Sequence, residues 1–230
     1  MTAFIAGPYE FISDDGVEHA LPEAYAPLVK AYEALNYSAG AISPAEATQF
    51  SSMGIAPPRG WQVLDSKEPK AVILDTAKGK VGVVYFPEIK KAGGDPTPEQ
   101  LQAISRKLKE LRPQVKLLVG VSPWGVQTES DFIEKQKPDL DVLLGSGTGV
   151  GFSAKADQGN GRVLWMHTYT KGKAIYTIDL LAWPSEKSFK WEKEVNFTTQ
   201  AVVLDDTFNP TPALEQMLQN VPDPGDKQAK

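Results

Sequence analysis

The sequence predicts a mixed α/β fold, with strand–helix units first and a β-rich last third, and three observations predict it. Short apolar runs of strand length recur along the chain, above all Val115 to Val121 and Val142 to Leu144. Between such runs lie stretches with apolar residues at helical spacing, the clearest from Pro98 to Arg112, where Leu101, Ile104, Leu108 and Leu111 share one face. In the last third this spacing gives way to strand-like runs at Arg162 to Thr168, Lys173 to Leu181 and Lys190 to Asn196, which read as successive antiparallel strands. Alternation of this kind packs as layers of helix on sheet, and the whole reads as an α/β sandwich.

Taken in order, Thr2 to Ala6 is a brief apolar strand, and Pro22 to Leu35 is a helix with Ala26, Val29, Ala31 and Leu35 near helical spacing. Ser43-Pro44 opens a helix that runs to Phe50, since proline suits a first turn and Glu46 complements its positive end. Ser51 to Gly60, with Pro57 and Pro58, is a loop. Ala71 to Asp75 and Lys80 to Phe86 flank the polar turn Ala77-Lys78-Gly79 and read as a hairpin. Thr97 caps the amphipathic helix that starts at Pro98. Val115 to Val121 is apolar throughout, as a strand covered on both faces would be, and the short helix Thr128 to Lys137 leads into Val142 to Leu144. Thr211 to Asn220 closes the chain as a helix.

The 230 residues organise as one domain over 1–221 followed by a polar tail over 222–230. A chain of this length buries roughly 70% of its unfolded surface, so it needs no covalent staple. Cysteine is absent, which excludes disulfides, thiolate metal sites and a thiol nucleophile. The net charge is −5 with basic residues scattered, so no nucleic-acid partner is expected. Only His19 and His167 are present, too few for a site of three imidazoles. No apolar run has the length of a membrane span, and the start lacks the basic region of a secretory signal. Localisation stays open between the cytoplasm and, with a removed leader, an extracytoplasmic compartment such as the periplasm.

Five segments in chain order, Phe4 to Pro8, Lys30 to Phe50, Lys116 to Gly125, Asp139 to Gly149 and Val163 to Leu180, resemble those of the calcineurin-like metallophosphoesterases of the 5′-nucleotidase and UDP-sugar hydrolase type. Lys30 to Phe50, KAYEALNYSAGAISPAEATQF, is similar to the family's helix ending in "N-x-L-G-Y-D" and the strand leading to "G-N-H-E-F-D". Lys116 to Gly125, KLLVGVSPWG, looks like the strand before "S-H-x-G", and Asp139 to Gly149, DLDVLLGSGTG, like "I-D-V-I-L-G-G-H-T-H". Val163 to Leu180 is similar to "V-x-x-G-x-x-G-x-x-L-G-x-L-D-L", and Phe4 to Pro8 aligns with the strand ending in "A-G-D". The resemblance implies a β-sandwich flanked by helices, with the family's first strand missing and Val115 to Val121 beside Val142 to Leu144 as inner strands.

In such a family two divalent metals activate water for attack on phosphorus. Matched position by position, the ligands become Pro8, Pro44, Ala45, Pro123, Gly147 and Gly149, none of which offers a side-chain lone pair. Glu46 is retained, but the family's glutamate there is not a metal ligand. The resemblance therefore implies a catalytically degenerate domain, without metal or other cofactor, serving binding or assembly with a protein or small ligand that the sequence does not name. Its vestigial cleft would comprise Pro8, Pro44, Ala45, Glu46, Ser122, Pro123, Trp124, Gly145, Ser146, Gly147, Thr148 and Gly149. Apart from Glu46, Ser122, Ser146 and Thr148 these residues are small, rigid or apolar, so the cleft should take only a neutral or weakly anionic group through backbone N–H groups and hydroxyls.

Individual residues admit two readings each. Asp14, Asp15, Glu18 and His19 form an acidic stretch that could attract a divalent cation, although a charged loop is ordinarily just solvated. His167 falls within a strand and reads as a packed histidine. The glycines from Gly145 to Gly151 could cradle an anion, but no lysine closes the motif and no helix follows, so glycine in place of histidine is preferred. Trp124 would sit at the lip of the cleft, filling space rather than stacking on a ligand; Trp61, Trp165, Trp183 and Trp191 read as packing residues. The alternative is an active phosphoric-ester hydrolase with a displaced metal site built from Asp14, Asp15, Glu18, Glu46 and Glu129. A dinuclear site needs about seven to nine donors, which separates the two readings.

Overall fold

The computed structural model describes residues 2–12, 22–89, 94–156, 159–168, 174–184, 186, 188–205 and 207–221. In chain order the elements are α1 (Pro22–Ala34), β1 (Ala41–Ile42), α2 (Pro44–Ser52), β2 (Gln62–Val63), β3 (Lys70–Thr76), β4 (Gly79–Tyr85), α3 (Pro98–Leu111), β5 (Leu117–Ser122), α4 (Val126–Asp131), β6 (Val142–Gly145), β7 (Phe152–Lys155), β8 (Leu164–His167), β9 (Ala174–Leu180), β10 (Phe197–Val203) and α5 (Pro212–Leu218). The fold is mixed α/β. It divides into two compact units, a sheet unit over Asp65–Asp205 and a second unit over Thr2–Leu64 and Asp206–Lys230.

The sheet unit is built on a six-stranded sheet in the order β3-β4-β5-β6-β8-β7. The central strands β4, β5, β6 and β8 run parallel, while β3 and β7 lie antiparallel at the edges. Val119 pairs with Val142 and Ser122 with Gly145, so the two strands read as inner neighbours are neighbours. β5 is buried at all six positions, as its continuous apolar run requires. One sheet face packs Val84, Phe86, Leu118 and Leu143 with Ile104, Leu108 and Leu111 of α3, the apolar stripe visible in the sequence. α3 starts with a full capping box, in which Thr97 accepts from Gln100 N–H and the Gln100 side chain accepts from Thr97 N–H.

The last third departs from three successive antiparallel strands. β8 joins the main sheet parallel to β6, and β9 pairs with β10 in a separate two-stranded ribbon. Lys190 to Asn196 is a turn rather than a strand, because the Asn196 side chain accepts from Glu192 N–H and donates to Lys190 O, and Glu194 takes φ +63°. The expected helix over Thr128 to Lys137 starts at Val126 and ends in a π-helical turn, Phe132–Gln136. Thr2 to Ala6 supplies only a bridge between Ile5 and Ala39.

In the second unit, Phe11, Tyr25, Ile42 and Phe50 form the core around α1 and α2. The tail over 222–230 lies outside the described residues, as do Asp14, Asp15, Glu18 and His19. Among the described residues no helix is long and apolar enough to cross a membrane.

Tyr85 ends β4 fully buried, and its hydroxyl has no partner among the described residues. Burial alone pushes the phenol pKa up. Removing an unpaired buried hydroxyl removes a desolvation cost, so Tyr85→Phe should leave stability unchanged or raise it by about 1 kcal/mol. Urea unfolding checks this, and a loss above about 1 kcal/mol would reveal a partner for the hydroxyl.

Candidate functional site

Parallel sheets bind ligands at the carboxyl ends of their strands, where loops gather and backbone N–H groups are free. In the sheet unit that edge is formed by Ser122 closing β5, Gly145 closing β6 and His167 closing β8. The loops after β5 and β6, Ser122 to Gly125 and Gly145 to Gly149, are sewn to one another. Ser146 N–H donates to Ser122 O at 2.9 Å, Gly125 N–H to Ser146 O at 2.9 Å and Val126 N–H to Thr148 O at 2.9 Å. The Ser146 hydroxyl donates to Ser122 O at 3.1 Å, and the Ser122 hydroxyl accepts from Trp124 N–H at 3.2 Å. Ser146 N–H, Gly125 N–H and the Ser146 hydroxyl, donors that an anion could use, are thus spent on the neighbouring loop.

Gly147 and Gly149 adopt φ +94° and +130°, conformations that side-chain-bearing residues rarely take. A Cβ on Gly147 would stand 2.7 Å from Pro123 O, and one on Gly149 would stand 2.5 Å from Val126 Cγ2. Pro123 is buried, whereas Thr148 and Gly149 are exposed. Trp124 does not stand at the lip. Its indole is buried against Phe86 and Phe132, and Nε1 donates to Pro87 O at 2.8 Å.

Beneath these loops lies a cluster that the sequence does not announce. Glu129, on α4, and His167 are both 0% exposed. Glu129 Oε2 accepts from Trp165 Nε1–H at 3.0 Å and lies 2.9 Å from His167 Nδ1. The tautomer that donates from Nδ1 to this oxygen leaves Nε2 as the free nitrogen. Gly145 makes room for the pair, because a Cβ there would overlap the Glu129 carboxylate. Glu129 Oε1 and His167 Nε2 have no partner among the described residues. A carboxylate-oriented imidazole is the geometry of a general base, but such a base must come within about 3 Å of its substrate. Sealed at 0% exposure, this pair braces α4 against β8. Its local signal is that Glu129, Phe132 and Ile133 stand at i, i+3 and i+4, so Glu129 lies on the apolar stripe of its helix.

The other expected site residues meet in the second unit. Ser43 caps α2, Pro44 takes the first helical position, and Ala45 is exposed. Glu46 is fully buried and gathers four backbone donors: Oε1 accepts from Phe11 at 2.8 Å and Ile12 at 3.3 Å, Oε2 from Ser43 at 2.6 Å and Tyr9 at 3.2 Å. It ties the loop bearing the buried Pro8 to the start of α2. Glu46 and Glu129, the described members of the alternative oxygen-ligand site, belong to different units, each in its own buried network. Among the described residues no group of three or more histidines and carboxylates is placed to hold a metal ion. No family model matches the chain, and no curated protein matches it.

Proposed function

We propose that the chain is a catalytically degenerate, metallophosphoesterase-like domain whose scaffold is kept as a binding or assembly module. The observation that carries this reading is the closure of the loops after β5 and β6. At the positions matched to metal-binding histidines, the backbone has settled into conformations and contacts that leave no room for a side chain, as the φ of Gly147 and its approach to Pro123 O require. The parallel pairing of β5 and β6, with both landmark loops at one sheet edge, agrees with the segment order from which the resemblance was drawn. Glu46 supports the reading too, since its carboxylate is consumed by four amide donors and its retention has a structural cause.

Thermal unfolding with and without manganese or zinc tests the proposal. A metal held in a site at a hundred times its dissociation constant adds about 2.7 kcal/mol, which is several degrees in a chain of this size. The expected result is no rise in melting temperature with either ion. A saturable rise would return the chain to the class of working phosphoric-ester hydrolases.

A further inference from the structure

The aromatic residues of the second unit continue from its core to the wall of a cavity. Phe11, Tyr25 and Phe50 close the interior, with ring centroids 4.8 to 5.8 Å apart. Tyr32, Tyr37 and Trp61 form a further cluster that lines a cavity of about 280 Å³, together with Glu33, Asn36 and Arg59. Asn36 explains how the sequence builds it. Just beyond α1 it takes φ +58°, the left-handed turn that asparagine tolerates after a helix, and so returns Tyr37 towards Tyr32 on the last turns of α1.

The three rings make a corner rather than a platform. Their centroids stand 5.2 Å (Tyr32 to Trp61), 5.8 Å (Tyr37 to Trp61) and 5.7 Å (Tyr32 to Tyr37) apart, with mutual inclinations of 62°, 74° and 56°. No two of these rings are parallel, so a flat ligand cannot stack on two of them, and a compact rounded group suits the cavity better. The two charged residues that line the cavity, Glu33 and Arg59, are of opposite sign, so the rings decide which charge is favoured. Aromatic faces are electron-rich, and the Tyr32 hydroxyl donates to Glu10 Oε2 at 2.7 Å, which adds electron density to that ring. Glu33 Oε1 accepts from Arg59 N–H at 3.3 Å, which fixes one carboxylate at the wall beside Arg59, an exposed residue that lines the same cavity. Burial first, and then the Glu10 carboxylate, raises the pKa of both tyrosines, so their rings stay neutral.

We propose that this cavity binds a small methylated ammonium cation, held by cation–π contact with Tyr32, Tyr37 and Trp61 and by the Glu33 carboxylate. The site lies wholly within the second unit and does not depend on the fate of the metal positions. Calorimetric titration of the full chain with choline tests it, beside 3,3-dimethylbutan-1-ol, which has the same shape and no charge. Choline should bind saturably at one site, the neutral isostere about tenfold more weakly or not at all, since a desolvated cation–π contact is worth about that factor. Tyr37→Leu should weaken choline about tenfold and Tyr37→Phe should keep it, because the half-buried ring and not its hydroxyl makes the contact. Equal affinity for the two isosteres, saturable binding of glucose in place of choline, or no choline binding up to about 10 mM would each overturn the proposal. Should Tyr37→Leu fail to fold, the ratio of choline to isostere on the unaltered protein still decides.

Discussion

Replacing Glu46 by alanine should cost about 3 to 5 kcal/mol of folding stability, the scale on which a buried charged acceptor is lost and its donors are left unpaired. Four backbone N–H groups, of Tyr9, Phe11, Ile12 and Ser43, point at its two oxygens, and no water reaches a side chain at 0% exposure to replace it. Glu46→Gln discriminates the mechanism from mere loss of volume. An amide offers one acceptor oxygen, so its NH2 group must face either the Phe11 and Ile12 donors or the Tyr9 and Ser43 donors. The glutamine variant should therefore lose roughly half as much as alanine. Denaturant unfolding of both variants measures this, and a loss below about 1 kcal/mol for Glu46→Ala would show that the donors find other acceptors.

Gly145→Ala should be nearly as damaging, with a loss of at least about 3 kcal/mol, because a single methyl at the end of β6 overlaps a carboxylate that cannot withdraw. Glu129 is held from two sides by Trp165 Nε1 and His167 Nδ1, so yielding to the methyl means breaking both contacts inside the core. The double variant Gly145→Ala/Glu129→Ala should cost clearly less than the sum of the two single changes, with a coupling of about 1 to 3 kcal/mol. Additive losses would mean that the two positions do not meet.

Much of the fold is legible in local pattern. The stripe Leu101, Ile104, Leu108 and Leu111 and the cap at Thr97 specify α3 because both signals are confined to one helix. The Ala77-Lys78-Gly79 segment marks the turn between β3 and β4 for the same reason: one glycine, Gly79 at φ +131°, supplies the backbone conformation within a few residues of the strands. The last third is read less well, since strand runs at Arg162 to Thr168 and Lys173 to Leu181 say nothing of which partner each will choose. β8 pairs directly with β6, and β7, which lies between them in the chain, takes the edge beyond β8, while β9 waits for β10 beyond a turn held by Asn196.

The candidate site is legible only in halves. The loop pairs Ser122 to Gly125 with Gly145 to Gly149, and Pro8 with Ser43 to Glu46, do come together, each within its own unit. What the loops hold is not visible in advance. The Glu129 and His167 contact joins residues 38 positions apart on a helix and a strand, and no spacing rule reports such a pair. Trp124 between Pro123 and Gly125 looks like a lip residue from its neighbours, yet Phe86 and Phe132, which bury it, arrive from other elements.

The proposed function requires that the edge formed by the loops after β5 and β6 no longer holds a metal. Elemental analysis of the protein purified without chelator, after equilibration with manganese, read beside hydrolysis of a generic phosphate ester by the same sample, tests that claim most directly. The expected result is metal well below one equivalent per chain and hydrolysis no faster than the manganese blank. One or two tightly held equivalents per chain, with ester hydrolysis that disappears when the metal is removed, would contradict it.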